Sequence, residues 1–574
     1  MRVSASRDRK IFRVCPFAVL VLSLCATSVV AQLTGLSETV EVRVVNFEVV
    51  VTDESGIPIR GLTRADFELF VDGEDTEIDY FSAVADGVTR SLEIVEDADA
   101  PTPTDPGSDD FKPLLVVVVD SSDLGPGWVE KTVQELVAQL DELTDVTRGV
   151  MVVRQGFELE TEQVFTTDRD LLVAALERAG RRRGATRRVG ERDALIRRVE
   201  TGDAPTGGMS SAEFLLVEAE AESLLREIRA YQSLETYALE RSASQLRALV
   251  GSLAGLPGRK EMLYLGLGFK TRPAESLFEM WGRKYQLIAP LLGVGSIERE
   301  IGLEMINDEF LSVIEEANAL KVVFNTYTPG GITSAGSNLR FSSADSFTVG
   351  ESESDQRRQS LLTLARNTGG VGRVQISGLS PLLEEMISGF RHFYSLGFDV
   401  NEALAGPGRV KVTVKGGDYR IRHLDRYRIR PAGRTLEDLT LTALVTDLAD
   451  NPLQMSIDVD PPESQRDGTY IVPILVKVPI SMLALLPEAS SHVGRVQFVV
   501  QAQGARGRLS EPVKGEIPIE IANSELLGAL GRQAGYRLRM RVSQGEQKIA
   551  VAIRDEIARR DSALNLIIDT GGGD

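Results

Sequence analysis

LLVVVVDSSDLGPG, Leu114 to Gly127, decides how the middle of this chain folds. An unbroken aliphatic run ends on Asp120, Ser121 and Ser122, and Gly125-Pro126-Gly127 then turns the chain. A strand covered on both faces needs such a run, because neither set of alternate side chains meets water. The carboxylate and hydroxyls at its end offer oxygens to a hard cation. The same groups also serve to close a strand and cap the helix that follows.

Outward from this strand the pattern alternates. WVEKTVQELVAQLDEL places Val129, Val133, Leu136, Val137 and Leu140 at helical spacing, and GVMVV (149–153) reads as a second buried strand. ELETEQVF reads as a polar edge strand, and Asp168 opens the helix DRDLLVAALERA. EMLYLGLGF and KVVFNTY supply two further strands, EFLSVIEEANAL and QSLLTLARNTGG two further helices, the second stopped at Gly369-Gly370. Strands alternating with helices predict an α/β unit over residues 111–430, a Rossmann-like, doubly wound sheet.

A long helical insertion, 195–250, interrupts that unit. From Ser211 to Val250, Phe214, Val217, Ala221, Leu224, Ile228 and Tyr231 keep a 3-then-4 rhythm. At 1.5 Å per residue this helix reaches about 60 Å. Its stripe must pack either on its own domain or on a partner helix. Residues 270–301 show no readable pattern.

The ends differ from the middle. Five basic residues precede VCPFAVLVLSLCATSVVA, which exits at Ala31, so residues 1–31 read as a cleaved signal peptide and the protein as exported, periplasmic or extracellular. The apolar run is short for a membrane span, and no span is expected after cleavage. Residues 39–95 alternate as a small N-terminal β module, 96–110 form an acidic, proline-containing linker, and 434–569 read as a C-terminal β-sandwich, beginning with LTLTALVTD.

Composition narrows function. The 574 residues carry 43% hydrophobic and 26% charged side chains, ordinary globular material. Without residues 1–31 the net charge moves from −20 to −24, which repels phosphate backbones and makes nucleic acid an unexpected partner. Both cysteines, Cys15 and Cys25, lie in the leader. The three histidines, His392, His423 and His492, have no ligand-like spacing. GLGFKT lacks the third glycine of a dinucleotide-binding turn.

The residue order resembles the secreted, von Willebrand factor type A-related proteins common in acidobacteria. VVVTDESGIPIRGLTRADFELFVDGEDTEIDYFS is similar to their N-terminal β module, and LLVVVVDSSDL to the first strand of the A domain. QVFTTDRDLLVAAL, LAGLPGRKEMLYL, LARNTGGVGRV and FYSLGFDV follow in the family's order. The resemblance implies a Rossmann-like fold used for binding, in adhesion or complex assembly. It also implies a metal site built from Asp-x-Ser-x-Ser, a loop Thr and a further Asp. Asp120 and Ser122 match the first two positions. Leu124 stands at the third, Gly266 and Gly268 where the acid is expected, and Thr186 among arginines. The metal site is therefore expected to be degenerate, with no cofactor, Mg²⁺ or Mn²⁺ at Asp120 and Ser122 being the alternative.

Arg181, Arg182, Arg183, Arg187 and Arg188 form a basic cluster in an acidic chain, a solvated loop or a patch for a carboxylate-bearing protein partner. The expectation is a non-enzymatic protein-binding, adhesion or complex-assembly protein. The alternatives are a structural envelope protein forming a homo-oligomer through the long helix, and a Ser/Lys- or carboxylate-based hydrolase.

Overall fold

The computed structural model describes residues 43–85, 88–94, 112–122, 126–181, 187–256, 258–295, 306–329, 344–376, 378–400, 408–427, 435–446, 451–504 and 508–571. The expected signal peptide, 1–31, and the linker, 96–110, lie outside them.

The N-terminal strands are β1 (Arg43–Thr52), β2 (Phe67–Val71), β3 (Glu74–Thr76), β4 (Tyr80–Ala85) and β5 (Val88–Ile94). The central sheet follows: β6 (Leu114–Asp120), β7 (Gly149–Gln155), β8 (Leu159–Thr166), β9 (Lys260–Leu265), β10 (Val322–Pro329) and β11 (Gly372–Ile376). Its order is β11-β10-β9-β6-β7-β8, parallel except for β8, which runs antiparallel to β7 at the edge. Counted from β6, that is the doubly wound order 3-2-1-4-5-6.

The opening run of sequence sits at the middle. Leu115, Val117 and Val119 enter one core with the helices Pro126–Ala138, Leu140–Val146, Arg169–Arg181 and Ser380–Arg391. Leu114, Val116 and Val118 enter the other, with the C-terminal half of Ser211–Ser252 and the helices Ile306–Ala319 and Ala344–Thr368. All six side chains are at most 3% exposed, and each contributes about 1.5–3 kcal/mol of burial. Alternation within one strand thus holds both helical layers.

The long helix is Ser211–Ser252, opened by a Ser210/Glu213 capping box. The stripe residues Val217, Ala221, Leu224, Ile228 and Tyr231 are buried against the helix Arg187–Thr201 and against 274–294, the region without a readable pattern. Trp281 is fully buried there and donates its indole N–H to the Ala221 carbonyl at 2.9 Å. The stripe is consumed inside the chain, while Leu215, Leu216, Leu234 and Tyr237 of the same helix stay exposed.

Two expectations are corrected. The sequence pattern places residues 392–427 in the α/β unit. Instead β12 (His392–Val400), β13 (Gly408–Val414), β14 (Arg420–Arg422) and β15 (Arg426–Tyr427) complete the N-terminal β layers, in the orders β14-β1-β12-β4-β5 and β15-β13-β2-β3. Phe47, Val49 and Val51 need apolar partners opposite them, and Tyr394, Leu396, Phe398, Val410 and Val412 supply them. Strand pairing is non-local, so proximity in sequence does not reveal it. Arg259, below β9, ties the layers: it pairs with Glu48 at 2.8 Å and with Glu261 at 2.6 Å, and its guanidinium lies over the Phe390 and Phe393 rings.

Second, LTLTALVTD reads as a strand but Leu436–Val445 is a helix. Thr435 and Asp438 cap it reciprocally, and that local signal outweighs the β-propensity of its threonines. Its Thr442 hydroxyl donates to the Ser252 carbonyl and accepts from the Gly255 N–H, docking it on the end of the long helix. Beyond it, β16 (Ser456–Val459), β17 (Glu463–Ser464), β18 (Tyr470–Pro479), β19 (Leu486–Pro487), β20 (Ser491–Gly504), β21 (Val513–Ala522), β22 (Gln533–Val542), β23 (Glu546–Asp555) and β24 (Arg560–Asp569) form two antiparallel sheets around one core. Among the described residues no helix is long and apolar enough to cross a membrane.

Candidate functional site at the C-terminal edge of the parallel sheet

Doubly wound sheets present ligands outside the carboxyl ends of their strands, and both parts of the candidate site lie there. The first surrounds Asp120. Its Oδ2 accepts a hydrogen bond from the Tyr264 hydroxyl at 2.7 Å, and its Oδ1 accepts from the Ser122 N–H at 2.9 Å. Tyr264, on β9 opposite Val118, is fully buried. Its ring packs against Phe269, which packs against Phe310. Ser121 is buried, with N–H and hydroxyl both directed to the Gln155 carbonyl. The Ser122 Oγ is buried and makes no hydrogen bond among the described residues.

Mg²⁺ takes six oxygens in an octahedron, and among the described residues no group of three or more Asp, Glu, His or Cys side chains gathers here or elsewhere; Asp123 and Thr186 lie outside the described residues. Gly266 adds no side-chain oxygen, and a Cβ there would lie 2.7 Å from the Tyr264 ring and 2.9 Å from the Asp120 Cβ. Gly266→Asp should therefore cost about 1–3 kcal/mol through overpacking and create no Mg²⁺ affinity. Thermal melts with and without Mg²⁺ check this; a variant rescued by Mg²⁺ would reveal a usable cation pocket.

The second part is exposed. The turn between β7 and β8 carries Phe157, 73% exposed, and the long helix carries Tyr237, 59% exposed. The Arg241 guanidinium lies 4.7 Å from the Phe157 ring centroid and 5.9 Å from that of Tyr237. Gln245 fixes the turn by donating to the Phe157 carbonyl, and Gln155 binds Ser242 and Gln245, so the patch and the Asp120 loop share supports.

A buried ion cluster holds the insertion over this edge. Lys270, just after β9, lies 3.3 Å from Glu235 and 3.6 Å from Glu353 and donates to the Tyr231 hydroxyl at 3.2 Å. Arg192 bonds Glu353 at 2.7 Å and Asp193 at 2.9 Å. Burial pushes the Glu353 carboxyl up, but Lys270 and Arg192 outweigh it and hold it below the usual glutamate range. Burial likewise works against the charge on Arg192, and Glu353 with Asp193 reverses it, holding the guanidinium above its ordinary value. Burial raises Tyr231, and the carboxylates of Glu353 and Glu235 add to it, so the phenol stays protonated.

Asp120 thus meets Ser122 through the Ser122 N–H and not through its hydroxyl. Of the arginine cluster only the Arg181 side chain is described. Arg181 is exposed and pairs with Glu177 at 2.7 Å; Arg182 and Arg183 lie outside the described residues, and Arg187 and Arg188 open a helix with their side chains likewise outside. Tyr264, Phe157, Tyr237 and Arg241 are the residues that the sequence pattern misses. One signal was available: a tyrosine inside a run that must be buried needs an acceptor, and Asp120 ends the neighbouring strand.

No family model matches the chain, and no curated protein matches it. Among solved structures, the X-ray structure of Northeast Structural Genomics Consortium target SoR45 is similar over 21% of this chain and 88% of its own, at 11% identity and a TM-score of 0.16. A likeness of that size carries no argument about fold or function.

Proposed function

We propose that this chain is a non-enzymatic, exported binding or assembly protein. Its α/β unit is of von Willebrand type A kind with a degenerate metal position, and it grips a protein partner through the carboxyl edge of the sheet. The sheet order, with one antiparallel edge strand and helices on both faces, supports the fold reading. The exposed rings of Phe157 and Tyr237, with the half-buried Arg241 guanidinium between them at the same sheet edge as Asp120, carry the functional reading. Large aromatic side chains and arginine dominate protein–protein affinity, because they exclude water over a wide area at small entropic cost.

The test is affinity capture from the native envelope fraction, followed by titration of the captured protein. Phe157→Ala and Arg241→Ala should each weaken binding roughly 30-fold, the value of a hot-spot side chain. Asp120→Asn should leave affinity within a few-fold, since no bridging cation is invoked. Repeated capture of nothing by a folded chain, or a partner indifferent to both rim substitutions, sinks the proposal.

A further inference from the structure

The long helix Ser211–Ser252 buries one face and leaves much of the opposite one in solvent. Ala212, Leu216 and Ala219 run down the N-terminal part of that outer face, and Ala230, Leu234 and Tyr237 continue it. Ser223 and Arg226 stand between them. Successive steps of three and four residues set all of these on one line along the helix. Leu216, Leu234 and Tyr237, with Leu215 beside them, are each more than half exposed. The solvent side of an amphipathic helix ordinarily carries charge. Here Arg226 alone is charged along about 39 Å of line, in a chain whose residues are 26% charged.

The line reads nearly the same in both directions. Large apolar side chains stand toward each end, Leu216 and Leu234, and an alanine lies inside each of them, Ala219 and Ala230. The middle holds Arg226 and, flanking the line, Glu222, which are bonded to each other at 2.6 Å. Contact with an unrelated partner does not require that symmetry. An isologous contact does, because the same patch must complement itself.

We propose that a second copy of this chain packs its long helix antiparallel along this line, about a two-fold axis at the level of Leu225. That axis sets Leu216 on the partner's Leu234, Ala219 beside the partner's Ala230, and Tyr237 against the partner's Ala212. The alanines let the two helix axes approach to about 8 Å. At the axis Glu222 of each copy meets the partner's Arg226, so that two carboxylates and two guanidiniums alternate. A parallel pair would set Arg226 on the partner's Arg226 and Glu222 on the partner's Glu222. Charge therefore selects the antiparallel arrangement. The contact is one helix wide, so the dimer forms and dissociates reversibly. Tyr237 also borders the rim group of Phe157 and Arg241, but Leu216 lies about 32 Å from it along the helix. The dimer and the rim partner are thus read by different substitutions.

Sedimentation equilibrium of the full chain under reducing conditions should show a dimer that dissociates on dilution. Leu216→Lys should weaken it at least roughly tenfold, by setting an ammonium against the partner's Leu234. Leu527→Lys, at a position 87% exposed in the C-terminal sandwich, should leave it unchanged. Glu222→Lys and Arg226→Glu should each weaken the dimer, and the two together should restore it, because the exchanged charges again face each other across the axis. All these side chains face solvent in a single copy, so the melting temperature of the dilute protein should hold, which separates lost contact from lost fold. A chain that is monomeric at every concentration overturns the proposal. So does a dimer indifferent to Leu216→Lys, or one that the combined charge exchange fails to restore.

Discussion

Lys270→Ala should destabilise the protein by about 3–5 kcal/mol, the cost of leaving buried carboxylates without their cation. Lys270 touches both Glu235 and Glu353, which come from separate helices, and donates to the Tyr231 phenol. Removing the ammonium strands Glu235, whose Oε1 is already buried without a hydrogen bond. It also removes the largest influence holding Glu353 charged. Denaturant titration of the variant measures the loss. A cost below about 1 kcal/mol, the value of a surface pair, would mean that water reaches the cluster.

The same cluster fixes a pH dependence. The folded Glu353 carboxyl lies below its ordinary value. Its contribution is therefore complete above the unfolded value, about 4.3, and is lost as the solution is acidified through the folded value. In Glu353→Gln that part of the acid-side loss should be absent, although the variant should be less stable at neutral pH.

Trp281→Ala should cost about 3–5 kcal/mol, as for other large core aromatics. The indole is fully buried, its ring centroid is 5.7 Å from that of Tyr285, and its N–H is bonded to the Ala221 carbonyl. It wedges the helix Glu275–Lys284 against the N-terminal half of the long helix. Among the described residues that half packs on helices and the 274–294 region, whereas the C-terminal half packs on the central sheet. Hydrogen exchange should therefore rise around Val217–Tyr231 and stay slow around Leu239–Val250. Uniform loss of protection along the helix would show that it folds as one unit with the sheet.

Local pattern was enough for the centre of the molecule. A run of six aliphatic residues has one stable environment, covered on both faces, and Leu114–Val119 occupies it. The 3-then-4 rhythm of Ser211–Val250 announced a helix, and helix Ser211–Ser252 is there. What covers that rhythm was illegible, because 270–301 contributes isolated contacts such as Trp281 and Tyr285 rather than a periodic stripe of its own. The Thr435/Asp438 box was present in the sequence as a helix start, yet the alternating LTLTALV that follows mimics a strand.

By itself, then, the sequence determined the period of the buried central strands, of the long helix and of most of the alternating strands at both ends. These follow from local side-chain chemistry. Tertiary structure alone decided the partners: β1 with β12, Tyr264 with Asp120, Lys270 with Glu235 and Glu353, Phe157 beside Arg241. Each of these joins residues far apart in the chain, and its energy arises only when packing brings the two groups together and removes water from between them.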